Sequence, residues 1–252
     1  MPGAMTRALV AALLALAVAL PGGAGAQGIS SDDAKEILKE LREIRRLLER
    51  MQAPPAGAPR AAAPQPDARV KVAVGGAFVL GRPDAPLTMV EFTDYECPFC
   101  RQFHVSTFEA LKKNYIDTGK MRYISRDFPL DFHRNAMQAA LAARCAGEHG
   151  QFWQLRHVLL VNANALSPDA IRKFARDLGL DEPAFRACLD GDRYRKDVEK
   201  DLADGRAAGV SGTPTFVVGR TTADGVDGVR LVGAQPYAVF DAKIRELLAD
   251  KP

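Results

Sequence analysis

Leu87-Thr88-Met89-Val90-Glu91-Phe92, followed at once by Thr93-Asp94-Tyr95-Glu96-Cys97-Pro98-Phe99-Cys100, is the stretch that decides the fold. The apolar run predicts a strand, and residues 101–118 read as a helix. Strand, Cys-x-x-Cys, then helix is the arrangement that dithiol redox chemistry needs. Cys97 falls at the helix N-terminus, where unpaired backbone N–H groups and the macrodipole favour an anion. An ordinary thiol with a pKa near 8.5 is only about 3% thiolate at neutral pH, whereas such sites lower that pKa to roughly 3.5–7.5. One turn of helix brings Cys100 back toward Cys97, close enough to close a small disulfide ring. Pro98 fits the first turn, where its missing N–H costs nothing.

The competing reading of the same pair is a structural zinc knuckle, which would need a second closely spaced Cys/His pair. Cys145 and Cys188 are isolated from each other, and His104 and His133 make no recognisable zinc spacing. Context therefore favours redox chemistry over zinc, and no metal is expected.

Outward from this stretch, the chain has 252 residues, 47% of them hydrophobic, enough for one sizeable domain with appendages. A formal charge of +3 is too small to imply nucleic acid. Arg7, the unbroken apolar run 8–20 and Ala24-Gly25-Ala26 form the n-region, h-region and cleavage site of a signal peptide spanning 1–26. The h-region is too short to cross a bilayer, which takes ~20 apolar residues. No cysteine follows the cleavage site, which argues against a lipoprotein anchor. The mature protein is thus expected in an oxidising compartment, the periplasm.

Residues 27–52 are expected to form an amphipathic helix, capped by Ser30 or Ser31 with Asp32 and Asp33 in its first turn. Ile37, Leu41, Ile44, Leu48 and Met51 follow the alternating steps of an a/d seam, with Leu38 and Leu47 flanking it. Residues 53–69 are Pro- and Ala-rich and read as a semi-rigid linker. A lone helix held away from its domain is marginal in water. Self-association is therefore preferred over docking on its own domain or lying on a membrane. Leucine at a and isoleucine at d favour a trimer, then a tetramer.

Residues 70–252 are expected to be the catalytic domain, of α/β class. Strands are read at 70–74, 87–93, 121–125, 215–218 and 229–232, with a block of four or five helices inserted at about 133–208 and a closing helix at 236–249.

This pattern resembles the DsbA-like family of thioredoxin-fold thiol–disulfide oxidoreductases over roughly residues 70–249. The likeness rests on Val90-Glu91-Phe92 leading into Cys97-Pro98-Phe99-Cys100, on the helical block, and on Val210-Ser211-Gly212-Thr213-Pro214-Thr215-Phe216. Phe128-Pro129-Leu130 and Gly150-Gln151-Phe152-Trp153 also look like family sequence. The resemblance implies that Pro214 has a cis peptide bond facing the dithiol and that backbone groups near it pair with an extended substrate. It implies that Cys97 is the exposed nucleophile, that Cys100 is the buried resolving thiol, and that Glu91 is a buried acid able to relay the proton of Cys100. Pro98 and Phe99 would set the local field. Thr213 looks like the threonine of the isomerase and reductase branches.

Two enzymatic directions follow: a monomeric oxidase, or an oligomeric isomerase of the suppressor-of-copper-sensitivity type hung from a helical stalk, which is preferred. A Cu(I)-sequestering protein using the same soft thiolates is a rival of another class. The expected partners are unfolded or misfolded secreted proteins and a membrane thiol redox protein. No cofactor is expected beyond the Cys97–Cys100 disulfide. Cys145 and Cys188, both in the helical block of a protein in an oxidising compartment, are expected to pair, against the alternative of two separately buried thiols.

Overall fold

The computed structural model of the chain describes residues 30–52 and 69–250. The expected signal peptide and residues 53–68 of the linker lie outside the described residues, as do the side chains of Leu48 and Met51.

The N-terminal unit contains α1, Ser31–Gln52. Ser30 is its cap: the Ser30 hydroxyl accepts the Asp33 N–H at 3.1 Å, and the Asp33 carboxylate accepts the Ser30 hydroxyl at 2.7 Å. Ile37, Leu38, Leu41 and Ile44 are each 47–55% exposed, so this row of apolar side chains is half-exposed among the described residues.

The second unit is built on a six-stranded sheet of order β1-β6-β5-β3-β4-β2. Its strands are β1 Arg69–Ala73, β2 Phe78–Leu80, β3 Leu87–Thr93, β4 Met121–Asp127, β5 Thr215–Thr221 and β6 Gly225–Val232. Only β3 and β4 run parallel, and the helical segment 98–116 (α2) forms their crossover. This segment starts at Pro98–Phe103 and carries π turns at His104–Phe108 and Lys112–Ile116. Between β4 and β5 stand five helices: α3 Ala136–Gly147, α4 Phe152–Val161, α5 Pro168–Asp177, α6 Glu182–Asp190 and α7 Arg195–Ala207. They break at the four places where Gly, Pro and Asn cluster in the sequence. A last helix, α8, covers Tyr237–Ala249.

Two expectations need correction. Arg69, assigned to the linker, is the first residue of β1 and pairs with Val229. The strand β2 was not foreseen: it is three residues long, lies among Gly and Pro, and pairs at the sheet edge with 123–125. Its Phe78 stacks on Phe152 of α4 at 3.8 Å between centroids, which ties that edge to the helical block.

Every residue of β3 is buried. Leu87 and Met89 pack with Phe103, Tyr123, Phe216 and Phe240, while Val90 and Phe92 pack with Ile124, Phe128 and Val217. A strand covered on both faces reads as the continuous apolar run seen in the sequence. Glu91 is the charged exception, and the site is built around it.

Candidate active site

Cys97 is the N-cap of α2, in extended conformation, with Pro98 opening the helix. Its carbonyl accepts the Arg101 N–H at 3.1 Å. The Cys97 thiol donates to the Thr213 carbonyl at 3.3 Å, and the Thr213–Pro214 peptide is cis. The β3–α2 turn and the loop before β5 therefore meet at the sulfur. The Thr213 hydroxyl is buried without a hydrogen-bond partner among the described residues.

The Cys97 pKa is lowered to about 6. The largest cause is a hydrogen bond from the Cys100 thiol, followed, against the opposing effect of burial, by Thr213 and the backbone N–H groups of Cys100 and Phe99. Cys100 is wholly buried, and its pKa is pushed well above the ordinary thiol value by burial first, then by Cys97 and Glu91. The two sulfurs thus differ as a nucleophile and a protonated resolving thiol must. One expectation changes: Cys97 is only 3% exposed, and Phe99, at 59%, forms the open surface beside it.

Glu91 lies beneath the pair, fully buried. One of its oxygens accepts from the Arg156 guanidinium at 2.5 Å and from the Tyr123 hydroxyl. Burial raises the Glu91 pKa and Arg156 opposes that rise. Arg156 comes from α4, donates to Ser125 at 3.0 Å, and is enclosed by the rings of Phe108, Tyr123 and Trp153 at 5.5–5.6 Å. His104 hydrogen-bonds His157 at 2.8 Å, and burial lowers its pKa to about 3.

The turn before Cys97 is clasped to the start of the helical block. The Asp94 carboxylate accepts the Leu130 N–H at 2.7 Å and pairs with His133 at 2.8 Å, and the Glu96 carboxylate accepts from Asn135 at 2.5 and 2.8 Å. His133 and His104 thus have Asp94 and His157 as partners. Among the described residues no group of three or more His, Cys, Asp or Glu side chains could hold a metal ion. A cavity of about 410 Å³ between Phe108, Trp153 and Val158 includes neither cysteine of the pair nor Pro214 in its lining.

Cys145 of α3 and Cys188 of α6 form a disulfide, with Cα atoms 5.9 Å apart. Arg156, Asp94 and Glu96 were missed in the sequence. For Arg156 a signal existed: it sits four residues after Phe152 and four before Leu160, on the buried stripe of an apolar helix.

A Cys-x-x-Cys at a helix N-terminus, faced by a cis-proline loop across a central sheet, defines a thioredoxin-fold dithiol protein. The chain belongs to the thioredoxin family (Thioredoxin_4), whose model matches residues 73–229. It superposes on BdbD from Bacillus subtilis with a TM-score of 0.65 and 24% identity, covering 74% of this chain and all of that one. For α-DsbA1 of Wolbachia pipientis the TM-score is 0.63 at 24% identity, covering 70% and 92%. At these identities the likeness is one of fold. A relative in Rickettsia conorii whose name reads protein-disulfide oxidoreductase is 30% identical over 147 residues, 56% of this chain and 52% of that protein. A Na(+)/H(+) antiporter of Salinispora tropica is 35% identical over 169 residues, 66% of this chain but only 25% of the antiporter. The chain thus spans about a quarter of the antiporter and about half of the Rickettsia protein. No helix among the described residues is long and apolar enough to cross a membrane.

Proposed function

We propose that the protein is a periplasmic protein thiol–disulfide oxidoreductase that works as an isomerase on misfolded secreted proteins. One observation carries this reading: Cys97 is held near pKa 6 by a hydrogen bond from a Cys100 thiol that stays protonated. At pH 7 that makes Cys97 about 90% thiolate. The Cys97 thiolate attacks a substrate disulfide, a Cys97–substrate bond forms, and one substrate sulfur leaves as thiolate. In isomerisation that thiolate attacks elsewhere in the substrate, and a substrate sulfur finally displaces Cys97 with no net electron transfer. If the intermediate stalls, Cys100 loses its proton and attacks the Cys97 sulfur. The Cys97–Cys100 bond forms, the substrate leaves reduced by two electrons, and a membrane thiol partner restores the dithiol.

Two features support isomerase over oxidase. Thr213 precedes the cis-proline, and α1 carries a row of half-exposed apolar side chains suited to self-association. A trimer joined through Ile37, Leu41, Ile44, Leu48 and Met51 would bring several Cys97 sites to one substrate. Export by a leader cleaved after Ala26 accounts for the oxidising setting in which Cys145–Cys188 forms.

The test is recovery of activity from a scrambled disulfide substrate, using the protein from residue 27 and a form lacking 27–68. Recovery that needs both Cys97 and residues 27–68, with light scattering showing a trimer, is the expected result. A monomeric protein that only oxidises reduced substrate refutes the isomerase reading. No exchange at all refutes the oxidoreductase reading.

A further inference from the structure

Strand β3 ends beside the buried sulfur of Cys100, and the Thr93–Asp94 peptide at its end is held from both sides. The β3–β5 ladder stops at the pair Phe92 and Thr215. The Thr93 carbonyl, turned toward β4, accepts the Phe128 N–H at 2.7 Å. In a planar trans peptide the N–H points away from the C=O, so the Asp94 N–H faces away from β4, past the end of the β5 ladder. It has no strand to pair with there and donates to the Cys100 sulfur at 3.5 Å.

Asp94 is fixed as firmly by its other groups. Its carbonyl accepts the Cys97 N–H at 3.2 Å. One carboxylate oxygen accepts the Glu96 N–H at 2.8 Å, and the other takes the Leu130 N–H and His133. Asp94 and Cys100 are both buried. A donor locked onto a buried reacting atom does not have to reorient as charge develops there.

Charge on Cys100 needs such a donor. Burial, the Cys97 thiol and Glu91 all push the Cys100 pKa up, whereas the Asp94 N–H pulls it down. Yet Cys100 carries negative charge each time it attacks or leaves. Neither resting form has that charge, because Cys100 is a thiol in the dithiol and bonded sulfur in the disulfide. The bond from Asp94 therefore strengthens only in the passage between the two.

We propose that the Asp94 peptide N–H is a catalytic donor that stabilises the thiolate forming on Cys100, and that the Asp94 side chain, held by Glu96, Leu130 and His133, positions it. The proposal rests on Cys100 being the resolving thiol. In resolution Cys100 gives its proton to a solvent base, and its sulfur attacks the Cys97–substrate disulfide. The Cys97–Cys100 bond forms, and the substrate sulfur departs with the electron pair. In reverse, a substrate thiolate attacks Cys97 and the Cys97–Cys100 bond breaks. Its electron pair goes to the Cys100 sulfur, against the Asp94 N–H, until a proton from solvent restores the thiol.

The direct test replaces the Thr93–Asp94 amide by an ester, with Asp94 supplied as its α-hydroxy acid in cell-free translation, so that only the N–H is lost. Asp94→Asn, whose single oxygen cannot serve both the Glu96 and the Leu130 N–H, tests the positioning. The reduced protein is mixed with excess oxidised glutathione, and the oxidised protein with reduced glutathione. Resolution and its reverse are expected to slow together, about tenfold in the ester form and about threefold in Asp94→Asn. The equilibrium constant with glutathione and the rate of Cys97 attack stay within about twofold, which a merely distorted turn would not allow. Both rates within about twofold of the parent in the ester form overturn the proposal. So does a change in the equilibrium or in Cys97 attack as large as that in resolution. If the ester form does not fold, Asp94→Asn decides alone, and unchanged rates there overturn the proposal. A parent protein that never forms the glutathione adduct refutes the oxidoreductase reading instead.

Discussion

Cys100→Ala isolates what lowers the Cys97 pKa. It removes the hydrogen bond that contributes most to lowering the Cys97 pKa, but leaves the helix N-terminus, Thr213 and the burial of the sulfur in place. A hydrogen bond to a charged group is worth about 1.5–3 kcal/mol. At about 1.4 kcal/mol per pKa unit, that predicts a rise of roughly one to two units. The midpoint should move from about 6 to roughly 7–8. The assay is alkylation of reduced protein across pH, with ultraviolet thiolate absorbance as a second readout. A midpoint that moves by less than about half a unit refutes the assignment and gives the effect to the backbone N–H groups. A rise all the way to an ordinary thiol value would show that those groups contribute nothing.

The same shift fixes how stability depends on pH. The folded pKa of Cys97 is depressed, so its contribution is fully present above the unfolded pKa and is lost as pH falls through about 6. The oxidised protein has no such titration. The raised pKa of Cys100 acts the other way, but only above the ordinary thiol range, where its unfolded counterpart ionises. Glu91 titrates in both redox forms and largely cancels. Between pH 5 and pH 8.5 the reduced form should therefore gain about 2–4 kcal/mol on the oxidised form, the lower figure allowing for solvent screening. Urea midpoints of both forms across that range measure it, and a difference that is flat with pH contradicts the shift.

Removing the Cys145–Cys188 bridge by a double change to Ala should destabilise the protein by about 4 kcal/mol in the chain-entropy model, given the separation of 43 residues. Denaturant unfolding with the Cys97–Cys100 pair held oxidised tests this, and a loss under about 1 kcal/mol would assign the bridge no structural weight. Arg156→Met leaves Glu91 buried without its cation and should cost about 3–5 kcal/mol, much of it recovered in the double variant with Glu91→Gln. No recovery would mean that Arg156 acts through packing on Phe108 and Trp153. Gly228→Ala would put a Cβ 2.2 Å from the Val218 carbonyl of β5 and should cost more than about 2 kcal/mol in urea unfolding.

What could be read in the sequence was what lies close together along it. Residues 87–100 give a buried strand, a turn and a helix N-terminus within one short span, so hydrophobic run, Cys-x-x-Cys and Pro98 could be interpreted jointly. Pro214 lies far away, but its Gly-Thr-Pro-Thr-Phe context gave it away. The boundaries of α3 to α7 followed from Gly, Pro and Asn, which are local signals too. The edge strand β2 had no such signal, since three residues show no period.

The partners of Glu91 were hidden for a different reason. Tyr123 and Arg156 stand 32 and 65 residues downstream, and nothing in a single chain says which cation will meet a buried acid. Yet the burial of Glu91 demands one, because an unpaired carboxylate in that interior would be forced to protonate. The cation comes from the helical block and not from the thioredoxin sheet. The clasps from Asp94 to His133 and from Glu96 to Asn135 run to the same block. The inserted helices therefore supply charge and fix the turn at the redox pair, and are more than a cover over it. A sheet with α2 and α8 but without the segment 130–207 would keep Cys97 and Cys100 yet leave Glu91 without its cation and the Cys97 turn unheld. Helical block and dithiol are one energetic unit, so mutations in α4 should register in the chemistry of Cys100 before they register in that of Cys97.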